Sequence, residues 1–188
     1  MAINSQATDA ATVARAYFEA VGRRDLDAMT EFYVPGGVGE IYGLVRLEVP
    51  TSYRAWFGDL FRAFPDFEME IVEIVAAGEK AAVRWRAEGS FSGDANFEGL
   101  APNGATVNVQ GCDVLTVRDG RIQHNDAYMN GAEMMRQLGA LPPMGSAPEI
   151  KRARALMRGQ SHGIPADFPG PQTDRPASPP RHSSGSQI

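Results

Sequence analysis

Residues 107–130, VNVQGCDVLTVRDGRIQHNDAYMN, hold the densest set of groups in this chain that could move protons. Asp119-Gly120 between two β-prone runs predicts a two-residue hairpin turn, and such a turn fixes the register of the flanking strands. In that register Val117 faces Ile122, Leu115 faces His124, Asp113 faces Asp126, Gly111 faces Tyr128 and Val109 faces Asn130. Directly opposed residues share a face, so one face begins apolar at the turn and becomes ionisable further in. Two carboxylates opposed across a strand pair repel unless they share a proton, bind a cation or sit in water. Enclosure would raise the pKa of one of them, the condition for acid/base work near neutral pH. Asp126 and Asp113 are therefore the candidate catalytic pair, with His124 and Tyr128 beside them as proton donors or acceptors and Asn130 able to orient a carbonyl. The competing expectation is a solvated face, common where an antiparallel sheet has one wet side. A bulge near Asn125 would break the register and redirect Asp126.

Other candidates carry less. Tyr17, Tyr33, Trp56 and Trp85 read as core first and as lining of an apolar substrate pocket second. His162 and His182 have no partner pattern. Two aspartates and one histidine on a hairpin are a thin donor set for a metal, and none is expected. Cys112, the single cysteine, can form no internal disulfide; next to Asp113 it should face the other way as an inert thiol. There is no phosphate-binding loop, no GxGxxG opening a helix and no GxSxG elbow. No cofactor is expected.

The elements that would position these groups come in a set order. Residues 9–22 read as a helix with Val13, Ala16, Tyr17, Ala20 and Val21 at three- and four-residue spacing and Thr8 or Asp9 as cap. A second short helix spans 26–33. A third follows Pro50, placing Tyr53, Trp56, Phe57, Leu60, Phe61 and Phe64 on one wide face, and Pro65 closes it. From Phe67 the period changes to that of strands, predicted at 67–76, 80–91, 105–117 and 121–130, with a terminal helix at 131–139. Helices followed by an antiparallel meander make an α+β pattern.

Composition bounds the rest. The chain has 188 residues, 43% hydrophobic and 22% charged, enough for one ordinary domain with extras. Residues 142–188 carry three acids and six bases, a net +3, so the preceding part carries −8 of the total −5. An acidic body argues against nucleic acid as partner, since phosphate binding needs clustered Lys and Arg. Nine of the thirteen prolines also fall after residue 141. The expected division is a flexible N-terminus at 1–7, a domain at 8–141, and a Pro/Ser/Arg-rich tail at 142–188 with a short helix at 149–158. No run is apolar enough to span a membrane. MAINSQATDA shows no secretory signal, and a cytoplasmic location is expected.

The order of these elements, with Phe64-Pro65-Asp66 after the third helix, Val117-Arg118-Asp119-Gly120-Arg121-Ile122 at the hairpin and Arg136-Gln137-Leu138-Gly139 at the close, resembles the SnoaL-like branch of the nuclear transport factor 2-like superfamily. The resemblance covers about residues 8–141. It implies a cone-shaped, curved antiparallel sheet packed on about three helices around one deep pocket, the cystatin-like α+β barrel, and a homodimer formed through the sheet's outer face. It also implies cofactor-free acid/base chemistry on a hydrophobic, carbonyl-containing small molecule. The leading form is the aldol-type ring closure of an ester cyclase, with Asp126 the nearest match to the acid/base aspartate. An epoxide hydrolase, dehydratase or isomerase using the same pocket is the first alternative. A non-catalytic binding or dimerisation module is the second.

Overall fold

A computed structural model of the chain describes residues 9–159. Helix α1 (Ala10–Gly22) starts where the Asp9 carboxylate accepts from the backbone of Ala11 at 2.7 Å and Thr12 at 3.1 Å. These are donors that a helix start otherwise leaves unpaired. Its buried stripe of Val13, Tyr17, Ala20 and Val21 packs on the sheet. Asp25 caps α2 (Leu26–Glu31) in the same way. Helix α3 (Thr51–Ala63) follows Pro50 and ends before Pro65, where proline can no longer continue the backbone ladder.

Six strands make one curved, open sheet in the order β2-β1-β6-β5-β4-β3. They are β1 (Tyr33–Ile41), β2 (Val45–Glu48), β3 (Glu68–Ala77), β4 (Lys80–Ser90), β5 (Thr106–Arg118) and β6 (Arg121–Met129). The β3–β6 meander is antiparallel. The α+β class matches the expectation. Two features do not. Residues 33–48, which carry no strand prediction, form the β1–β2 hairpin, and β1 runs parallel to β6. Pro35, Gly36 and Gly37 fall in the interval where β1–β6 pairing is interrupted between Tyr33 and Val38. A residue without an amide N–H is tolerated there.

The hairpin register is the main correction. Val117 pairs with Ile122 as expected, but Thr116 pairs with His124, Val114 with Asp126 and Asp113 with Ala127. Gln123 is an extra residue, a β-bulge, and every β6 side chain beyond it changes face relative to the regular pairing. Burial follows: Ile122, Asn125 and Ala127 are buried, while Tyr128 is 49% exposed. Asp113 and Asp126 thus lie on opposite faces.

Helix α4 (Gly131–Gln137) begins at Asn130, whose side chain accepts from the Glu133 amide at 3.0 Å. The chain divides into two compact units after Glu149. Helix α5 (Ala147–Gly159) starts in the first, where the Glu149 carboxylate accepts from Arg136 at 2.7 Å and from the Gly145 amide. The expected flexible segment 1–7, the tail beyond 159, His162 and His182 lie outside the described residues. Among the described residues no helix is long and apolar enough to cross a membrane.

Candidate active site

A cavity of about 110 Å³ lies between the inner sheet face and helices α1 and α3. Its walls are aromatic and aliphatic, with Phe18, Trp56, Phe57, Phe67 and Phe97 among them, and its lining includes one buried carboxylate, Asp113. Tyr17, Tyr33, Trp56 and Trp85 all line it.

Asp113 is 6% exposed. Its Oδ1 accepts from Trp85 Nε1 and its Oδ2 from Asn125 Nδ2, each at 2.7 Å. Burial disfavours the ionised form and raises its pKa from 3.8 to about 6; the two hydrogen bonds work the other way, and the Asp126 charge adds slightly to the rise. Each carboxylate oxygen keeps a lone pair for a proton, since one donor fills only one of two. Strand pairing sets Trp85 against Gly111. A Cβ at 111 would fall 2.4 Å from the indole and 2.7 Å from the Tyr128 carbonyl. Only glycine lets the ring lie flat over β5 and reach Asp113.

Three tyrosine hydroxyls meet in the same cavity. Tyr17 and Tyr53 Oη are 2.6 Å apart, and Tyr33 Oη donates to Tyr17 Oη at 3.4 Å. All three are buried, which pushes their pKa values well above the usual 10 and keeps them neutral donors. Three protons serve two contacts, so one is left over for a ligand. Asn125 contributes a second unused group: its Oδ1 is buried and has no hydrogen-bond partner. An unmet buried acceptor costs about 1–3 kcal/mol, a cost that a ligand donor would relieve.

The outer face carries the other predicted residues. Tyr42, from the β1–β2 turn, donates to Asp126 Oδ1 at 2.9 Å, and His124 Nε2 lies 2.9 Å from the same oxygen. That hydrogen bond to a carboxylate pushes the Tyr42 pKa up to about 12. Tyr42 and Tyr128 stack with centroids 4.7 Å apart, and both are about half exposed. Asp126, His124 and Tyr128 project away from the cavity, and Asn130 serves as the cap of α4. Cys112 also faces outward, half-buried, and burial raises its thiol pKa. Among the described residues no three His, Cys, Asp or Glu side chains gather as a metal site. Sequence reasoning left out Asn125 as a site residue, having read it only as a possible bulge, and placed Tyr53 only on an aromatic helix face; nothing local marks either as polar lining of a cavity.

Comparison with known proteins shows the family and the fold. The model of the SnoaL-like polyketide cyclase family matches residues 11–138. A SnoaL-like polyketide cyclase candidate from Jannaschia sp. CCS1 superposes with a TM-score of 0.64 at 21% identity, over 76% of this chain and 99% of its own. IdmH, a polyketide cyclase candidate from Streptomyces antibioticus, gives 0.56 at 24%, over 68% and 96%. AclR, a hydroxylase candidate from Streptomyces galilaeus, gives 0.60 at 22%, over 80% and 96%. The search of curated proteins found no match.

Proposed function

The chain belongs to the SnoaL-like polyketide cyclase family, and from that premise we propose that it is a cofactor-independent acid/base enzyme whose base is Asp113. The observation that carries this reading is a buried carboxylate with a pKa near 6, held by two donors in an apolar cavity. Ionised at neutral pH, it takes a proton from the carbon next to a carbonyl of a hydrophobic substrate. The electron pair moves onto the carbonyl oxygen, where the spare proton of the Tyr17–Tyr33–Tyr53 cluster meets the developing charge without itself being lost. The enolate carbon then attacks a second carbonyl of the same molecule, closing a ring by aldol addition. The proton on Asp113 passes to the new alkoxide and restores the carboxylate.

In this reading Trp85 and Asn125 position the base, and Trp56 and Phe57 bind the apolar body. Asp126, His124 and Tyr128 form a surface cluster outside the chemistry. The homodimer, if formed as the resemblance implies, uses the outer face on which Tyr42 and Tyr128 stack.

The test is a matched pair of variants on one cyclisable diketone ester. Asp113→Asn lowers kcat by about 10²- to 10⁴-fold, the usual contribution of a positioned acid or base, while circular dichroism keeps its folded form. Asp126→Asn stays within a few-fold of the parent. The parent's rate climbs with pH through about 6 as Asp113 ionises. Equal losses in both variants, or labelled oxygen from water in the product, would overturn the assignment.

A further inference from the structure

The segment 91–105 joins β4 to β5 and folds over one end of the cavity. Its tip is a tight turn in which Phe97 and Leu100 exchange backbone hydrogen bonds at 3.0 and 2.9 Å. The two central residues, Glu98 and Gly99, have φ of +49° and +77°. Such a turn favours Asn-Gly or Gly-Gly; here a glutamate holds the first left-handed position. Its backbone is exposed, but its Oε1 accepts from Trp56 Nε1 at 2.9 Å. Among the described residues this is the one side-chain hydrogen bond that reaches Phe97–Leu100. Trp56 and Phe97 both line the cavity, with ring centroids 5.4 Å apart in an edge-to-face contact.

The root of the segment is fixed differently. Gly93 and Asp94 amides donate to the Ala63 and Arg62 carbonyls at 3.0 and 3.2 Å, and Asn103 Nδ2 donates to the Leu138 carbonyl at 2.9 Å. The tip therefore has a backbone anchored at its base, a Phe97 ring buried edge-on against Phe64 with centroids 5.6 Å apart, and one side-chain hydrogen bond at its end. That bond ties the flap residue next to Phe97 directly to the indole that forms the facing wall.

We propose that Glu98 is a positioning residue that latches the Trp56 indole against Phe97 and so sets how readily small molecules reach this wall of the cavity. The inference rests on the cavity being the substrate site, but the latch can be read without turnover. An exposed hydrogen bond is weak enough to open and close repeatedly, and its loss frees the half-buried indole while Phe97 stays packed on Phe64.

The experiment measures acrylamide quenching of tryptophan fluorescence in the full chain for the parent and for Glu98→Ala, Glu98→Gly and Glu98→Gln. Trp85 is 6% exposed beneath β5, so a change reports Trp56. Ala and Gly remove the acceptor, and Gly also relieves the left-handed backbone. Both should raise the open/closed ratio of the indole about 2- to 10-fold, the factor carried by one net hydrogen bond, and the quenching constant rises with it. Gln keeps an acceptor oxygen and should match the parent. Parent-like quenching in Ala and Gly, or an equal rise in Gln, would overturn the latch. If the latch is seen while Asp113→Asn retains full turnover, the chemistry assigned to Asp113 fails and the latch stands; the opposite pattern removes the latch alone.

Discussion

Strands β5 and β6 carry two aspartate clusters, one on each face, each with an aromatic donor and one further polar side chain on the carboxylate. On the inner face an aromatic N–H and an amide donate to Asp113. On the outer face a tyrosine hydroxyl donates to Asp126 beside an imidazole. Environment separates them. Asp113 is 6% exposed and faces an apolar cavity; the Asp126 side chain is 21% exposed and sits beside Tyr42 and Tyr128, which are about half open to solvent. In low dielectric each donor to a carboxylate is strong and each missing one is costly, whereas water replaces a lost donor at the surface. Reactive carboxylates are made by enclosure more than by the identity of their neighbours.

A matched pair of substitutions breaks or sharpens this contrast with the largest expected effect on stability. Trp85→Phe removes the aromatic donor to Asp113 and leaves a gap under β5; Tyr42→Phe removes the aromatic donor to Asp126. The first should cost about 3 kcal/mol or more in urea unfolding, combining a hydrogen bond to a charged group with lost core volume. The second should leave the urea midpoint unchanged. Trp85→Phe also moves the rising limb of the pH–rate profile above 6, because the Trp85 bond is one of the two that hold the Asp113 pKa down. A comparable loss in Tyr42→Phe would mean that the two faces are not energetically distinct.

Much of this arrangement is legible in the sequence where local pattern and tertiary structure agree. Helices α1 and α3 carry apolar stripes at helical spacing, and strands β3 to β6 show β-prone runs cut by Ala77-Gly78 and Asp119-Gly120. The β1–β2 hairpin is not legible: Pro35, Gly36, Gly37, Gly39 and Gly43 read as loop. Strand β1 exists because β6 supplies a partner of far higher sequence separation. Asp113, Tyr17, Tyr33 and Trp85 can be named as candidates from residue type. Which of them meet is decided by one bulged residue, Gln123, and nothing in Gln123-His124-Asn125-Asp126 distinguishes a bulged from a regular strand. A one-residue slip exchanges faces, so Asn125 and Asp126 trade the places that a regular ladder gives them.

Stability against pH sharpens the same comparison at somewhat smaller size. The Asp113 pKa is about 6 in the folded chain and 3.8 as an unperturbed side chain. Below the lower value both states hold the proton and Asp113 contributes nothing. Between the two values the unfolded chain ionises while the folded one does not, so stability falls as pH rises. Above about 6 the full cost is present, about 3 kcal/mol for a shift of this size. Asp113→Asn lacks the cost, and Asn125 can turn its unpartnered Oδ1 toward the new amide. Its stability relative to the parent should therefore climb by up to about 3 kcal/mol from pH 4 to pH 7. Groups with lowered pKa values, Asp9, Asp66 and Glu149, are common to both proteins and cancel in the difference. A flat difference curve would place Asp113 in contact with water.

The smallest expected effect decides the register itself. Deleting Gln123 from the bulged pairing leaves Ile122 followed directly by His124, which restores a regular ladder from Arg118–Arg121 onward. His124 and Asp126 stay outside, and Asn125 and Ala127 stay inside. The variant should fold with a Tm within a few degrees of the parent, the shift that about 1 kcal/mol produces in a domain of this size. Cross-strand NOEs between Leu115 and Asn125 and between Asp113 and Ala127 should persist. In a ladder without the bulge the same deletion would turn Asp126 from the inner face to the outer and exchange every β6 residue after it. In that case the parent would lack those NOEs and the deletion would create them, so NOEs that appear only in the variant would overturn the bulged register and collapse the distinction between the two aspartates.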